Sequence, residues 1–249
     1  MKQSKPISLT KLVKNYLEEE RDWAGNELII DRPKPKPRIE TPESLDKCKK
    51  LQKFKDEISN CRKCPLGKAR LNVVFGVGNP AAELLFVGEG PGFDEDHKGE
   101  PFIGRAGKLL DKIIESMGYR REDVYIANIV KCHPMIDPSD PEKRGNDRPP
   151  EPEETAQCIP YLVKQIEIIH PKVICTLGSP SSKTLSGLDT PISKLRGNWL
   201  DYKLPNGDTI PMMPTYHPAA LLRNPSLKKD VWADVQRIME KLGKKKKTV

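Results

Sequence analysis

From residue 45 onward, short and almost wholly apolar runs alternate with longer stretches whose apolar positions recur every three to four residues. The runs are Leu84–Gly88 (LLFVG), Val124–Asn128 (VYIAN), Val173–Leu177 (VICTL) and Ile210–Pro214 (IPMMP). Helical spacing occupies 45–59, 105–117, 153–169, 179–187 and 228–242. A strand that is apolar on both sides must be covered on both faces, and strands separated by amphipathic helices pair in parallel. The pattern predicts an α/β fold of three layers, αβα, around a short parallel sheet of about four strands.

The chain before this alternation differs. Residues 8–22 carry Leu9, Leu12, Val13, Tyr16 and Leu17 at helical spacing, and 31–43 (DRPKPKPRIETPE) have alternating prolines that favour extended backbone. We expect an N-terminal helix and Pro-rich linker over 1–45, one domain over 46–242 and a disordered basic tail over 243–249. The N-terminal helix is expected either to brace the domain or to dock an unidentified protein partner. The segment 133–152 has no periodicity and is rich in proline and charge, which predicts an exposed loop.

Composition narrows the class. No apolar run approaches the roughly 20 residues of a membrane span, and the N-terminus lacks an apolar signal core. A cytoplasmic protein is expected. The net charge of +8 is unevenly placed: residues 1–45 carry +1, residues 241–249 carry +5, and the body only +2. Such a tail suits a polyanion, whose counterions it would release, or is simply solvated.

Ligands of open parallel sheets bind beyond the carboxyl ends of the strands, so those ends are where chemistry is sought. The first strand runs into Gly88-Glu89-Gly90-Pro91-Gly92, followed by Phe93-Asp94-Glu95-Asp96. The second ends at Asn128, the third in Gly178-Ser179, the fourth in Thr215-Tyr216-His217-Pro218. Four loops thus carry carboxylates, an amide, small polar groups and an imidazole to one rim. The glycine loop is not a dinucleotide fingerprint, because no helix opens directly from it and the acidic run would repel a pyrophosphate. Singly, His217 and Phe102 read as core residues and Asn128 as a turn cap; the binding rule makes them a set.

Six cysteines are many for a chain in a reducing compartment, where clustered thiols point to metal or catalysis. Cys61-x2-Cys64 is a half-site for a tetrathiolate centre, and Cys132 and Cys158 are placed to complete it. Their wide separation suits a centre that ties separate loops together, and iron–sulfur and zinc are both compatible with it. Cys175, within a strand, reads as a small buried hydrophobe and Cys48 as a bystander.

With these residues assembled, the chain resembles the family 4 uracil-DNA glycosylases, the iron–sulfur branch of that superfamily. The likeness covers roughly 46–242. It rests on GEGPGFDEDHKGEPFIGRAGKLL (88–110), YIANIVKC (125–132), the four cysteines, KLRGNW (194–199) and TYHPAALLRNP (215–225). The resemblance implies a [4Fe-4S] cluster on Cys61, Cys64, Cys132 and Cys158, and DNA repair by excision of uracil. It implies that Gly88, Glu89 and Gly90 line the uracil pocket, that Phe102 stacks on the base, that Asn128 reads its polar edge and that His217 contacts O2. The segment between Cys132 and Cys158 is longer than is usual there, with the Asn-Arg-Pro-rich stretch at Asn146–Pro152.

A base must leave the stack before its bond can be cut. We expect Leu221 or Leu222 to fill the gap and Arg223 to hold backbone phosphate. Glu89 or Glu95 is expected to stabilise the sugar cation or orient water, beside His217 and Asn128. The expected enzyme is monofunctional and monomeric, acts on single- or double-stranded uracil DNA in the cytoplasm near the nucleoid, and uses its cluster structurally. The alternative is a non-catalytic binder of damaged or single-stranded DNA that uses the same pocket.

Overall fold

A computed structural model describes residues 41–244. The expected N-terminal helix, most of the Pro-rich linker and the end of the basic tail lie outside the described residues. The chain opens with α1 (Pro42–Ile58), which starts three residues ahead of the expected boundary, on a reciprocal cap between Thr41 and Ser44. Then come α2 (Leu66–Ala69), β1 (Val77–Gly78), β2 (Leu84–Gly88), α3 (Phe93–Lys98), α4 (Arg105–Ser116), β3 (Tyr125–Asn128) and α5 (Pro152–Ile169). The second half holds β4 (Val173–Leu177), α6 (Ser179–Ser186), α7 (Ile192–Leu195), β5 (Leu200–Lys203), β6 (Thr209–Thr215), α8 (Pro218–Arg223) and α9 (Lys228–Lys241).

The sheet order is β1-β3-β2-β4-β6-β5. The four inner strands are parallel, as the apolar runs require, and β1 and β5 add one antiparallel strand at each edge. Those edges were not expected. β1 is only two residues long, whereas β5 and β6 form a hairpin through Asn206-Gly207, with Gly207 at φ +92. The inner strands β2, β3 and β4 are buried throughout. One face packs on Leu51 and Ile58 of α1 with Leu162 and Ile166 of α5. The other packs on Leu110 and Ile113 of α4 with Val235 and Ile238 of α9, completing three layers.

Two local expectations are corrected. The FDEDHK stretch after the glycine loop forms α3, whose N-terminus is closed by Glu95 reaching back to the Gly92 N–H. The 133–152 segment is not a simple exposed loop. His133, Met135 and Asn146 are buried, Met135 bridges Asp147, and the Asn146 amide donates to the carbonyls of Asp137 and Asp140.

Candidate active site

Register places the first pocket residues. Gly88 at the end of β2 pairs with Asn128 at the end of β3. A Cβ on Gly88 would lie 2.5 Å from Asn128 Oδ1 and 2.5 Å from Phe102 Cζ, so only glycine lets amide and ring close over the strand end. Phe102 adopts φ +52, a conformation costly for a bulky residue and a mark of a site where geometry outranks comfort. Its carbonyl leaves so little room over α4 that a Cβ on Gly107 would approach it to 1.9 Å.

His217 caps α8, accepting the Ala219 N–H on Nδ1 at 3.1 Å. Its proton therefore sits on Nε2. The imidazole ring lies 5.4 Å from the Phe102 ring at 34°. Burial, and then the positive Arg223, depress its pKa to about 4, so the ring is neutral near pH 7. Gly178, at φ +91, gives it room, since a Cβ there would stand 3.0 Å from that of His217. The structure thus brings Gly88, Phe102, Asn128 and His217 together.

Asn128 is 1% exposed, and among the described residues its Oδ1 has no hydrogen-bond partner. A buried amide oxygen without a partner costs about 1–3 kcal/mol, which a ligand N–H would recover. Glu89 and Gly90 are half-buried beside it, and desolvation raises the pKa of Glu89. Glu95 behaves differently. Its Oε1 accepts from Ile103 N and Gly104 N at 2.9 and 3.0 Å, and Oε2 accepts from Gly92 N at 3.2 Å. It clamps the glycine loop to the turn that carries Phe102.

On α8 the two leucines part. Leu221 is 1% exposed and packs in the core, which removes it as a wedge. One residue on a helix is a 100° turn, and Leu222 accordingly emerges, 41% exposed, beside the exposed Arg223.

The four cysteines also converge. Cys61 and Cys64 on the turn after α1, Cys132 beyond β3 and Cys158 on α5 line one cavity with Lys131 and Tyr161. Arg70 Nη1 donates to Cys132 Sγ at 3.5 Å, the Lys131 backbone N–H to Cys158 Sγ at 3.2 Å, and Tyr161 Oη lies 3.1 Å from Cys61 Sγ. Among the described residues no three His, Cys, Asp or Glu side chains close round a single metal ion. Four sulfurs from three segments, with N–H and O–H groups directed at three of them, fit a polynuclear thiolate centre. Cys175 is buried and Cys48 exposed, both apart from this cavity.

Three features escaped sequence reasoning. His133 is enclosed by Asp147 at 2.7 Å and Asp96 at 3.7 Å, and the pairing with these carboxylates outweighs burial to raise its pKa. Arg196 pairs with buried Asp234, which accepts from Thr215 Oγ1 at 2.6 Å and so steadies the strand end before His217. Lys131 is fully buried. The KLRGNW motif was a signal for Arg196, whereas nothing local marked Asp234, 38 residues away.

Comparison with known proteins agrees with this geometry. The family model of the Uracil DNA glycosylase superfamily matches residues 75–236. The Type-4 uracil-DNA glycosylase of Archaeoglobus fulgidus is 45% identical over 197 residues, 78% of this chain and 94% of that protein. Those of Sulfurisphaera tokodaii and Thermotoga maritima are each 44% identical, over 76% and 73% of this chain and 84% and 89% of their own lengths. Gly88, Phe102, Asn128 and His217, with Cys132 and Cys158 of the four-thiol cavity, fall within the residues that the family model matches. The chain belongs to the uracil-DNA glycosylase superfamily, among its type-4 members.

Proposed function

We propose that this chain takes uracil out of the DNA stack and hydrolyses its bond to the sugar, leaving an abasic site and free uracil. The observation that carries the reading is the buried Oδ1 of Asn128, unpartnered among the described residues, within the Gly88–Phe102–His217 enclosure. That oxygen accepts uracil N3–H while the amide nitrogen donates to O4. Cytosine offers an acceptor at N3 and donors at its amino group, so both contacts fail. Phe102 stacks on the base, worth about 1–3 kcal/mol. Leu222 occupies the space the base vacates, and Arg223 holds a flanking phosphate.

The N-glycosidic bond breaks with its electron pair going to uracil, so negative charge collects on O2 and N1 while the sugar becomes cationic. The neutral His217 donates its Nε2–H to O2, and the Gly90 N–H adds a second donor, both fixed before the reaction begins. Glu89, desolvated and not engaged by the clamp that occupies Glu95, stabilises the sugar cation and takes the proton of the water that adds to C1′. A [4Fe-4S] cluster on Cys61, Cys64, Cys132 and Cys158 would cross-link three segments, and hydrolysis requires no electron from it.

The test is incubation of the purified protein with single- and double-stranded uracil oligonucleotides, followed by alkaline cleavage and assay of free base. Strand cleavage at uracil with release of uracil supports the reading; binding without release refutes it.

A further inference from the structure

Lys131 is 1% exposed and among the largest fully buried side chains of the protein. Its Nζ donates to the carbonyl of Asn128 at 2.9 Å and to Gln165 Oε1 at 2.6 Å, both neutral acceptors. Gln165, itself completely buried, passes the connection on to the carbonyl of Phe75 at 2.9 Å. Among the described residues no carboxylate pairs with Lys131. A buried ammonium without a counter-charge is expensive, commonly several kcal/mol, and is retained where an anion lies near.

The groups able to carry negative charge beside it are sulfurs. Cys132 is the next residue, the backbone N–H of Lys131 donates to Cys158 Sγ, and its side chain lines the four-thiol cavity. At its other end the ammonium grips the residue that reads the base. The bond to the Asn128 carbonyl closes the turn in which β3 ends, and that turn fixes where the Asn128 amide points.

We propose that Lys131 is a positioning residue. It takes the thiolate-bound metal centre as its counter-charge and, so held, fixes the Asn128 strand end, which makes base discrimination depend on the centre being loaded. This inference rests on the reading of Asn128 as the uracil-reading residue. It gives a centre with no electron to transfer a part in specificity beyond that of a cross-link.

The test measures binding, separate from turnover. The probes are oligonucleotides bearing 2′-fluoro-2′-deoxyuridine or 2′-fluoro-2′-deoxycytidine, whose sugars resist cleavage, and the readout is the ratio of their dissociation constants. Loaded wild-type protein should favour the uridine probe strongly; if it does not, the reading of Asn128 itself is wrong. Lys131→Met, neutral and of similar length, should lower the ratio at least tenfold, leave binding to undamaged DNA unchanged and lose its visible absorbance faster to a chelator. Gln165→Glu supplies Lys131 with a counter-charge of its own. That variant should keep its discrimination after the metal is stripped, whereas stripped wild-type protein should lose it at least tenfold. Wild-type discrimination in folded Lys131→Met overturns the proposal. If Lys131→Met does not fold, equal losses on stripping wild-type and Gln165→Glu protein overturn it.

Discussion

A neutral His217 is required if it is to donate from Nε2 while accepting on Nδ1, and neutrality leaves a trace in stability. The unfolded imidazole takes up its proton near pH 6.5, the folded one only near pH 4, held down by burial and by Arg223. Between those values the unfolded state binds more protons, so stability rises with pH through this window and falls as acid is added. Each tenfold change in an ionisation constant is worth 1.36 kcal/mol, so acidification from pH 7 to pH 5 should cost about 2 kcal/mol through this one group. His217→Gln removes the titration while keeping an amide donor at the position. Urea unfolding of wild-type and variant protein across pH 5–7 isolates the contribution of His217, because every other titration is common to both. The wild-type curve should fall relative to the variant by about 2 kcal/mol. In the same window, wild-type kcat/KM should show no break near pH 6.5. Parallel stability curves, or a kinetic break at the ordinary histidine value, would refute the neutral, desolvated imidazole.

Gly88→Ala should reduce uracil release at least a hundredfold, since the added Cβ would stand 2.5 Å from both Asn128 and Phe102; kcat/KM on a uracil oligonucleotide checks it. Leu222→Ala should lower activity on duplex far more than on single-stranded DNA at unchanged stability, whereas Leu221→Ala should cost about 2–5 kcal/mol of stability by thermal unfolding. Glu89→Gln should lower kcat by orders of magnitude while melting little changed. Glu95→Ala should lower the melting temperature as well, because it frees three backbone N–H groups that its carboxylate satisfies; parallel kinetics and melting curves distinguish the two.

Much of this was legible along the chain because the signals were local. Runs such as LLFVG and VICTL are apolar at every position, and the structure returns them as β2 and β4 with the same ends. The strand-end rule gathered Gly88, Asn128 and His217 from positions 129 residues apart in sequence. What stayed hidden depends on packing. Leu221 and Leu222 are the same residue type in one motif, and only the seating of α8 on the core separates them. Glu89 and Glu95 are both acids near one loop, and only the fold shows that Glu95 spends its oxygens on backbone amides. α3 was masked by charge, since FDEDHK offers no apolar period, and its helix depends on the cap that Glu95 provides. Asp234 and Lys131 owe their meaning to partners that no short window contains.

Gly88 shapes how this pocket can change over generations. Any other residue there introduces a Cβ, and a single base change in a glycine codon can supply nothing smaller. The position cannot be adjusted in small steps; it holds or the pocket closes. On the proposed roles of Asn128 and Phe102, a lineage drifting toward another damaged base would have to move through Asn128, where an amide can be exchanged for an acid of the same size, or through the ring of Phe102. The floor of the pocket is a fixed point around which its selectivity can evolve.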